Sequence, residues 1–178
     1  MTSKEKKITK IAFIGTHGTA KTTTAHDLVT RLKKKRINAE FLGEVARMCP
    51  LPINQNATPE SQKWIIFNQM SKEFEFRDKC DYLVGDRSVL DSWIYYLNLF
   101  GHNPNLEPII MEHMGSYDFL FKMPIKPEYF QADGIRDLDL DFQRNINDLM
   151  DKVLHEKQIP YYKYEDMKTT LNIILSKK

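Results

Sequence analysis

The sequence predicts an α/β fold with a parallel sheet, because short apolar segments alternate along the chain with amphipathic helical segments. Two further observations support this prediction. The first apolar segment ends in a glycine-rich turn that opens directly into a helix, and the acidic residues Glu44 and Asp86 each follow a later apolar segment. We therefore expect one domain over residues 1–178.

Five segments have the length and composition of buried strands. They are residues 11–14, 39–42, 82–85, 119–123 and 161–164. In an open α/β sheet, ligands collect at the carboxyl ends of the strands. The residues that directly follow these segments are therefore the first candidates for a functional site.

Helical segments separate the strands. The first begins at Lys21 and ends in the basic run 33–36, where a helix C-terminus favours cations. The second begins at Thr58 as N-cap and Pro59 as first helical residue. Its predicted buried stripe is Trp64, Phe67, Ser71 and Phe74. Further helices are expected at 89–100, 108–114, from 142 onward and around 171–175, whereas 124–141 is polar and predicts a surface excursion.

The turn after the first strand reads Gly-Thr-His-Gly-Thr-Ala-Lys-Thr over residues 15–22 and nearly fits the phosphate-binding pattern G-x-x-x-x-G-K-[ST]. Backbone N–H groups of such a loop and of the following helix all point at one anion. We therefore predict nucleotide binding by Gly15, Thr16, His17, Gly18, Thr19, Ala20, Lys21, Thr22 and Thr23. For His17 we expect the backbone, rather than the imidazole, to contribute.

Ala20 departs from the pattern, which has its second glycine at this position. Alanine is the smallest substitute and suits helical dihedral angles, so we expect the site to persist. We also expect Ala20→Gly to preserve or improve ATP use.

Two side chains of the loop suit ATP with Mg²⁺. Lys21 supplies a positive charge to the β- and γ-phosphates, and the Thr22 hydroxyl can ligate the metal. Asp86 is a candidate for the metal as well, or for accepting the proton of an attacking hydroxyl. Lys21 and Asp86 are therefore predicted catalytic residues, and Thr22 and Asp86 are the predicted metal ligands.

Arginines accompany the acidic residues at the strand ends. Arg87 follows Asp86 directly, and Arg47 comes one helical turn after Glu44. Arg87 would then bind developing charge or a substrate phosphate, and Glu44 with Arg47 is a second candidate pair at a strand end; the alternative for residues 86–88 is an N-cap with a surface ion pair. Arg136 in the polar excursion is a further catalytic candidate, because a mobile segment carrying arginines can close over ATP.

Composition excludes several other classes. The formal net charge is only +2, which does not require a nucleic-acid partner. The two cysteines, Cys49 and Cys80, have no metal-ligand spacing and suggest a reducing compartment. No signal peptide or apolar run of membrane-spanning length is present, so we expect a cytoplasmic protein without a membrane partner.

The chain resembles the small P-loop kinases. The resemblance rests on residues 11–23, the Gly-Glu-Val-Ala-Arg segment 43–47, the Asp-Arg-Ser segment 86–88 and the Asp-Gly-Ile-Arg segment 133–136. It is nearest to the ribosylnicotinamide kinase domain and its stand-alone AAA-type relatives; thymidylate and deoxynucleoside kinases are similar. The resemblance implies a P-loop NTPase three-layer sandwich, with a five-stranded parallel sheet in the order 2-3-1-4-5, helices on both faces and a lid at about 124–141. It also implies Lys21 and Thr22 on ATP and Mg²⁺, Arg136 in the lid, and Glu44, Arg47, Asp86 and Arg87 around the acceptor.

Three functions remain open at this stage. The first is transfer of the γ-phosphoryl group of ATP to a small nucleoside or nucleotide acceptor, with a homodimer as one possible assembly. The second is a kinase acting on a polynucleotide or a modified DNA base, suggested by the basic run 33–36. The third is a nucleotide-dependent ATPase or switch that phosphorylates no acceptor.

Overall fold

The predicted alternation of strands and helices is present along the chain. The computed structural model describes residues 8–126 and 139–177. Its strands are β1 (Thr9–Ile14), β2 (Ala39–Leu42), β3 (Tyr82–Asp86), β4 (Phe119–Lys122) and β5 (Tyr162–Lys163). Its α-helices are α1 (Lys21–Lys34), α2 (Pro59–Glu75), α3 (Val89–Phe100), α4 (Glu107–Met114), α5 (Leu140–Glu156) and α6 (Met167–Ser176), and short 3₁₀ helices occupy Val45–Met48 and Asn54–Asn56.

The strands form one parallel sheet in the order β2-β3-β1-β4-β5, which confirms the predicted topology. The register pairs Phe13 with Asp86 and Leu42 with Gly85, so β1, β2 and β3 end at the same edge. The phosphate-loop segment after β1, the Glu44 segment after β2 and Asp86 at the end of β3 therefore meet at one edge.

Helices cover both faces of the sheet, which confirms the three-layer arrangement. Successive strand residues point to opposite faces. Ile11 and Phe13 of β1 pack with α1 and α6, whereas Ala12 and Ile14 pack with α2, α3, α4 and α5. All four residues are fully buried, and they hold the end of β1 rigidly below the turn that follows.

The predicted buried stripe of α2 is wrong except for Trp64, which is half-buried and packs on the core. Phe67 and Phe74 are exposed on the outer surface, and the inner face instead carries polar side chains beside Ile66 and Met70. Two of them, Gln69 and Glu73, are tolerated there because they are bonded, the first through a 2.9 Å hydrogen bond to the second. Glu73, which is 5% exposed, lies 2.5 Å from Lys10 Nζ, 2.8 Å from His113 Nε2 and 2.5 Å from the Tyr117 hydroxyl that donates to it.

The basic run 33–36 forms the last turn of α1 and the residues that follow it. Since α1 has 14 residues and begins at the phosphate loop, its C-terminus lies about 20 Å from that loop. Lys33 pairs with Glu40 at 3.0 Å. The run is therefore a helix end remote from the strand-end edge, and nothing in its position favours a polynucleotide kinase.

Within residues 8–126 and 139–177, no helix has both the length and the apolar character that a transmembrane span requires.

Candidate functional site

Residues 15–22, the predicted phosphate-binding loop, have a backbone that relies on left-handed conformations. Gly15 and Gly18 have φ of 141° and 68°. Glycine adopts such angles without steric cost, because it has no Cβ. Thr16 and Thr19 are buried, and the Thr19 hydroxyl donates a 3.0 Å hydrogen bond to the Thr16 carbonyl inside the loop.

Ala20 does not adopt the helical dihedral angles expected from the sequence. It precedes α1 as N-cap, with φ 59° and ψ 25°, in the left-handed region. Its carbonyl accepts from the Thr24 amide at 3.0 Å and the Thr24 hydroxyl at 2.8 Å, so the following helix fixes this conformation. The left-handed conformation costs an alanine about 1–2 kcal/mol, because its Cβ crowds the following carbonyl oxygen.

Ala20→Gly should therefore raise the free energy of unfolding by about 0.5–1 kcal/mol, because relief of this strain outweighs the added freedom of the unfolded chain. Urea denaturation without nucleotide measures the change. Ala25→Gly is the matched control: Ala25 is fully buried in α1, so its replacement should destabilise the protein by about 1 kcal/mol or more. Destabilisation by Ala20→Gly would show that the loop has another conformation.

Lys21 is buried within the loop that it completes. Its ammonium donates to the Thr16 carbonyl at 2.5 Å and to the Thr19 hydroxyl at 3.1 Å. Burial, with a smaller contribution from Arg87, lowers the pKa of Lys21 to about 8, although nearby carboxylates oppose the shift. The lysine is thus held among loop atoms in a form whose charge an incoming phosphate would stabilise.

The two predicted metal ligands, Thr22 and Asp86, come together from α1 and β3. The Thr22 hydroxyl donates to Asp86 Oδ2 at 2.5 Å. Burial raises the pKa of Asp86, against the attraction of Lys21. One hydroxyl and one carboxylate are hard oxygen donors of the type that Mg²⁺ uses when phosphates and water complete its shell. The pair therefore fits Mg²⁺, and no cage of three or more His, Cys, Asp or Glu side chains occurs among residues 8–126 and 139–177.

Glu44 joins both predicted acceptor-site arginines. Arg87 Nε donates to one of its oxygens at 2.6 Å, and Arg47 Nε donates to the other at 2.8 Å. Burial would raise the pKa of Glu44, but attraction to Arg87, Lys21 and Arg47 lowers it to about 2. Glu44 therefore stays ionised at neutral pH and fixes the orientation of Arg87.

Arg87 has an unusual backbone for a residue with a side chain, since its φ is 86°. Its amide continues the sheet by donating to the Phe13 carbonyl at 3.1 Å, and Ser88 then caps α3. Its guanidinium lies 5.5 Å from the centre of the Tyr95 ring, a cation–π distance. Strained backbone of this kind persists where surrounding contacts over-determine it, and it occurs often at functional sites.

Asp91 connects the phosphate loop to the Asp86–Ser88 turn, and sequence reasoning missed it. One oxygen accepts from the Gly15 amide at 2.9 Å, and the other accepts from the Ser88 amide at 2.8 Å and the Ser88 hydroxyl at 3.0 Å. Asp91 is fully buried. The Ser-x-x-Asp spacing of a capping box was visible in the sequence, but the second contact, to Gly15, depends on the fold.

Two helices close the sides of the cleft. From α5, Gln143 donates to the His17 carbonyl at 2.8 Å, and Phe142 stacks on the His17 ring at 5.9 Å. From α2, Gln62 lines the part of the cleft next to Glu44 and Tyr95. Gln62 is 3% exposed, and its side-chain amide makes no hydrogen bond within the described part of the chain. Sequence reasoning missed both glutamines, although Gln62 does lie on the helix face that also carries Ile65 and Ile66.

The structure brings most of the predicted site residues into one cleft. Its lining comprises His17, Gly18, Thr19, Ala20, Lys21, Thr22, Thr23, Glu44, Ala46, Arg47, Ile53, Asn54, Asp86 and Arg87. Gly15 and Thr16 lie beneath it and support the loop. The predicted lid residue Arg136 lies outside the described residues.

A family model described as an AAA domain matches residues 10–170. Among solved structures, the chain is similar to deoxyadenosine kinase from M. mycoides. The structure with the products dCMP and a flexible dCDP has a TM-score of 0.64 at 15% identity and covers 94% of this chain and 97% of that chain. The structure with bound dATP has a TM-score of 0.59 at 14% identity, covering 95% and 98%. No curated protein matches.

Proposed function

Because this chain belongs to the AAA domain family, we propose that it is an ATP- and Mg²⁺-dependent phosphotransferase that moves the γ-phosphoryl group to a hydroxyl or phosphate of a small nucleoside- or nucleotide-like acceptor. The observation that carries the proposal is the cleft itself. It places the phosphate loop, with Lys21, beside an ionised Glu44 that is clamped by two arginines. A nucleotide switch would need the loop but not a second charged site at its mouth.

The acceptor is expected at the far side of Glu44 and Arg87. There the cleft continues between Ile53, Gln62 and Tyr95, which offer apolar surface, an aromatic hydroxyl and an amide. The buried amide of Gln62 has donors and an acceptor available, so it can recognise a planar heterocycle with complementary groups. This part of the cleft has the size of a small-molecule site.

Different residues of the cleft have different roles in phosphoryl transfer. Lys21 and the loop amides bind and orient the triphosphate, while Thr22 and Asp86 would hold Mg²⁺. A Mg²⁺ ion held there would supply positive charge close to the phosphates. Arg87, oriented by Glu44, stabilises the transferred group, and Glu44 orients the acceptor hydroxyl as a hydrogen-bond acceptor. Glu44 is a weak base, since its pKa is about 2, and a weak base suffices because the transition state of phosphoryl transfer is loose.

The proposal is tested by incubating the protein with ATP, Mg²⁺ and a panel of nucleosides, nucleoside monophosphates and ribosylnicotinamide. We expect ADP to form at a rate that depends on one acceptor. ADP formation of equal rate with and without every acceptor would instead indicate an ATPase. Retention of DNA or RNA on the protein at low salt would support the polynucleotide alternative.

ATP affinity should depend on pH through Lys21. Only the protonated amine attracts phosphate, and its pKa in the free protein is about 8. The dissociation constant should therefore be level below pH 8 and then rise, by up to about tenfold per pH unit above it. Titration of Mg-ATP binding from about pH 7 to pH 10 measures this. Lys21→Arg is the control, because a guanidinium stays charged throughout and should give a flat profile. A flat wild-type profile would contradict the assignment.

A further inference from the structure

Neighbouring backbone groups in the middle of the phosphate loop differ in whether they are bonded. The His17 carbonyl accepts a hydrogen bond from the Gln143 side chain at 2.8 Å. The amides of Gly18 and Thr19 have no hydrogen-bond partner within the described part of the chain, although both residues are buried. Buried backbone amides are nearly always paired in folded proteins. These two amides are therefore available to an anion in the cleft, which both residues line.

The carbonyl of His17 and the amide of Gly18 belong to one peptide group. The peptide bonds of the described residues are all trans, so these two groups point in opposite directions. A bond that holds the carbonyl on one side therefore holds the N–H on the other side. Gly18 has a φ of 68° and no Cβ, so its residue type leaves the peptide group free to turn over. The direction of the amide therefore depends on an external bond to the carbonyl.

Gln143 is held rigidly in the position from which it makes this bond. It lies near the start of α5 and is 2% exposed. The preceding residue, Phe142, packs against the His17 ring at 5.9 Å and against the Tyr95 ring at 5.8 Å. The Asp139 side chain caps α5 by accepting two amide hydrogen bonds from its first turn. The amide is thus presented from a fixed helix, and only its NH₂ group can bond to a carbonyl.

We propose that Gln143 is a positioning residue of the nucleotide site: by holding the His17 carbonyl, it keeps the Gly18 amide directed at a phosphate oxygen. Since the anion is then the polyphosphate of ATP, this role rests on the proposed function. Without the bond, the peptide group would also adopt the reversed direction, in which a carbonyl oxygen faces the phosphate and repels it. Only the first direction binds, so the apparent dissociation constant rises as the fraction of molecules that keep it falls.

Gln143→Met tests the bond by removing the donor while nearly keeping the volume of the side chain. The dissociation constant of Mg-ATP, measured by titration calorimetry at about pH 7, should rise at least about fivefold. Gln69→Met is the matched control. Gln69 is also a buried glutamine, but it donates to Glu73 at 2.9 Å, away from the cleft, so its replacement should leave Mg-ATP affinity at the wild-type value. Urea denaturation shows that each variant is folded.

Gln143→Glu tests whether the donated hydrogen is what matters. A carboxylate has no hydrogen to donate to the His17 carbonyl, whereas a protonated carboxyl group donates as the amide does. The ratio of the variant's dissociation constant for Mg-ATP to the wild-type value should be at least about tenfold at about pH 7.5. It should approach one as the pH falls to about 5.5, because burial favours the protonated form. For Gln143→Met the ratio should be the same at every pH. Taking a ratio removes the titration of ATP and of groups that the proteins share, such as His17 and Asp139.

Two results would overturn the role of Gln143 alone. They are wild-type Mg-ATP affinity in Gln143→Met, and a loss of affinity in Gln143→Glu that does not diminish at low pH. Both would leave the proposed phosphotransferase intact, because it requires only that the wild-type chain binds Mg-ATP and transfers the phosphoryl group. Failure of the wild-type chain to bind Mg-ATP would instead overturn the proposed function together with the role of Gln143.

Discussion

Replacing Lys21 by methionine should reduce ATP-dependent turnover by about 10²- to 10³-fold, the usual cost of removing one preorganised charged donor from a transition state. Mg-ATP affinity should fall as well, because Lys21 lies in the loop that faces the phosphates. The stability of the folded protein should not decrease. Burial lowers the pKa of this amine to about 8, so the folded protein holds its charge at a cost, which methionine removes. We therefore expect unfolding at neutral pH to need as much denaturant as in the wild type, or more.

Lys10 provides the contrasting control. It is also a buried lysine on the same sheet, but it pairs with Glu73 at 2.5 Å, away from the cleft. Lys10→Met should destabilise the protein by about 3–5 kcal/mol, because it leaves a buried carboxylate short of its partner, and should leave Mg-ATP affinity unchanged. Parallel calorimetry and urea denaturation of the two variants separate binding from stability. Wild-type turnover in Lys21→Met would refute the role of this lysine.

Asp86→Asn should lower kcat by about 10²-fold or more while changing Mg-ATP affinity much less. An amide keeps the shape of the side chain and can still bond to the Thr22 hydroxyl, but it binds Mg²⁺ more weakly than a carboxylate does. The variant should also need a higher Mg²⁺ concentration for half-maximal activity. Steady-state kinetics at several Mg²⁺ concentrations measure both effects.

Asp27→Asn is the control for Asp86→Asn. Asp27 lies on α1 like Thr22, but it faces solvent and pairs with Arg31 at 2.9 Å, so its replacement should leave kcat and the Mg²⁺ requirement unchanged. If Asp86→Asn lowered ATP affinity and kcat by the same factor, Asp86 would be a structural support of the loop instead.

The sheet could be predicted from the sequence because its strands are short, continuous apolar segments bounded by glycine, proline and charged residues. The residues on the inner face of α2 could not be predicted in this way. Aromatic residues at helical spacing indicated burial of Phe67 and Phe74, but the buried face carries Gln62, Gln69 and Glu73. Glu73 is bonded by Lys10 of β1 and His113 of α4, which are distant in sequence, so no local pattern could reveal that this buried carboxylate is satisfied.

The functional site also combines residues that a local sequence pattern reveals with residues that only the fold brings together. The phosphate loop, Glu44, Asp86 and Arg87 follow strand ends, a local feature that the sequence contains. Asp91 and Gln143 contact the loop across 76 and 126 residues of chain, and the sequence carries no signal for either contact. Alanine suits helical dihedral angles, but Ala20 does not adopt them. It is left-handed because the loop geometry, rather than local preference, sets its dihedral angles.

Equilibrium binding of Mg-ATP to the wild-type chain, measured by titration calorimetry, tests most directly whether the turn after β1 holds a triphosphate. We predict one site per chain, a dissociation constant below about 1 mM and loss of binding when Lys21 is replaced by methionine. The absence of binding heat at millimolar Mg-ATP, or binding of equal strength in the Lys21→Met protein, would contradict the account.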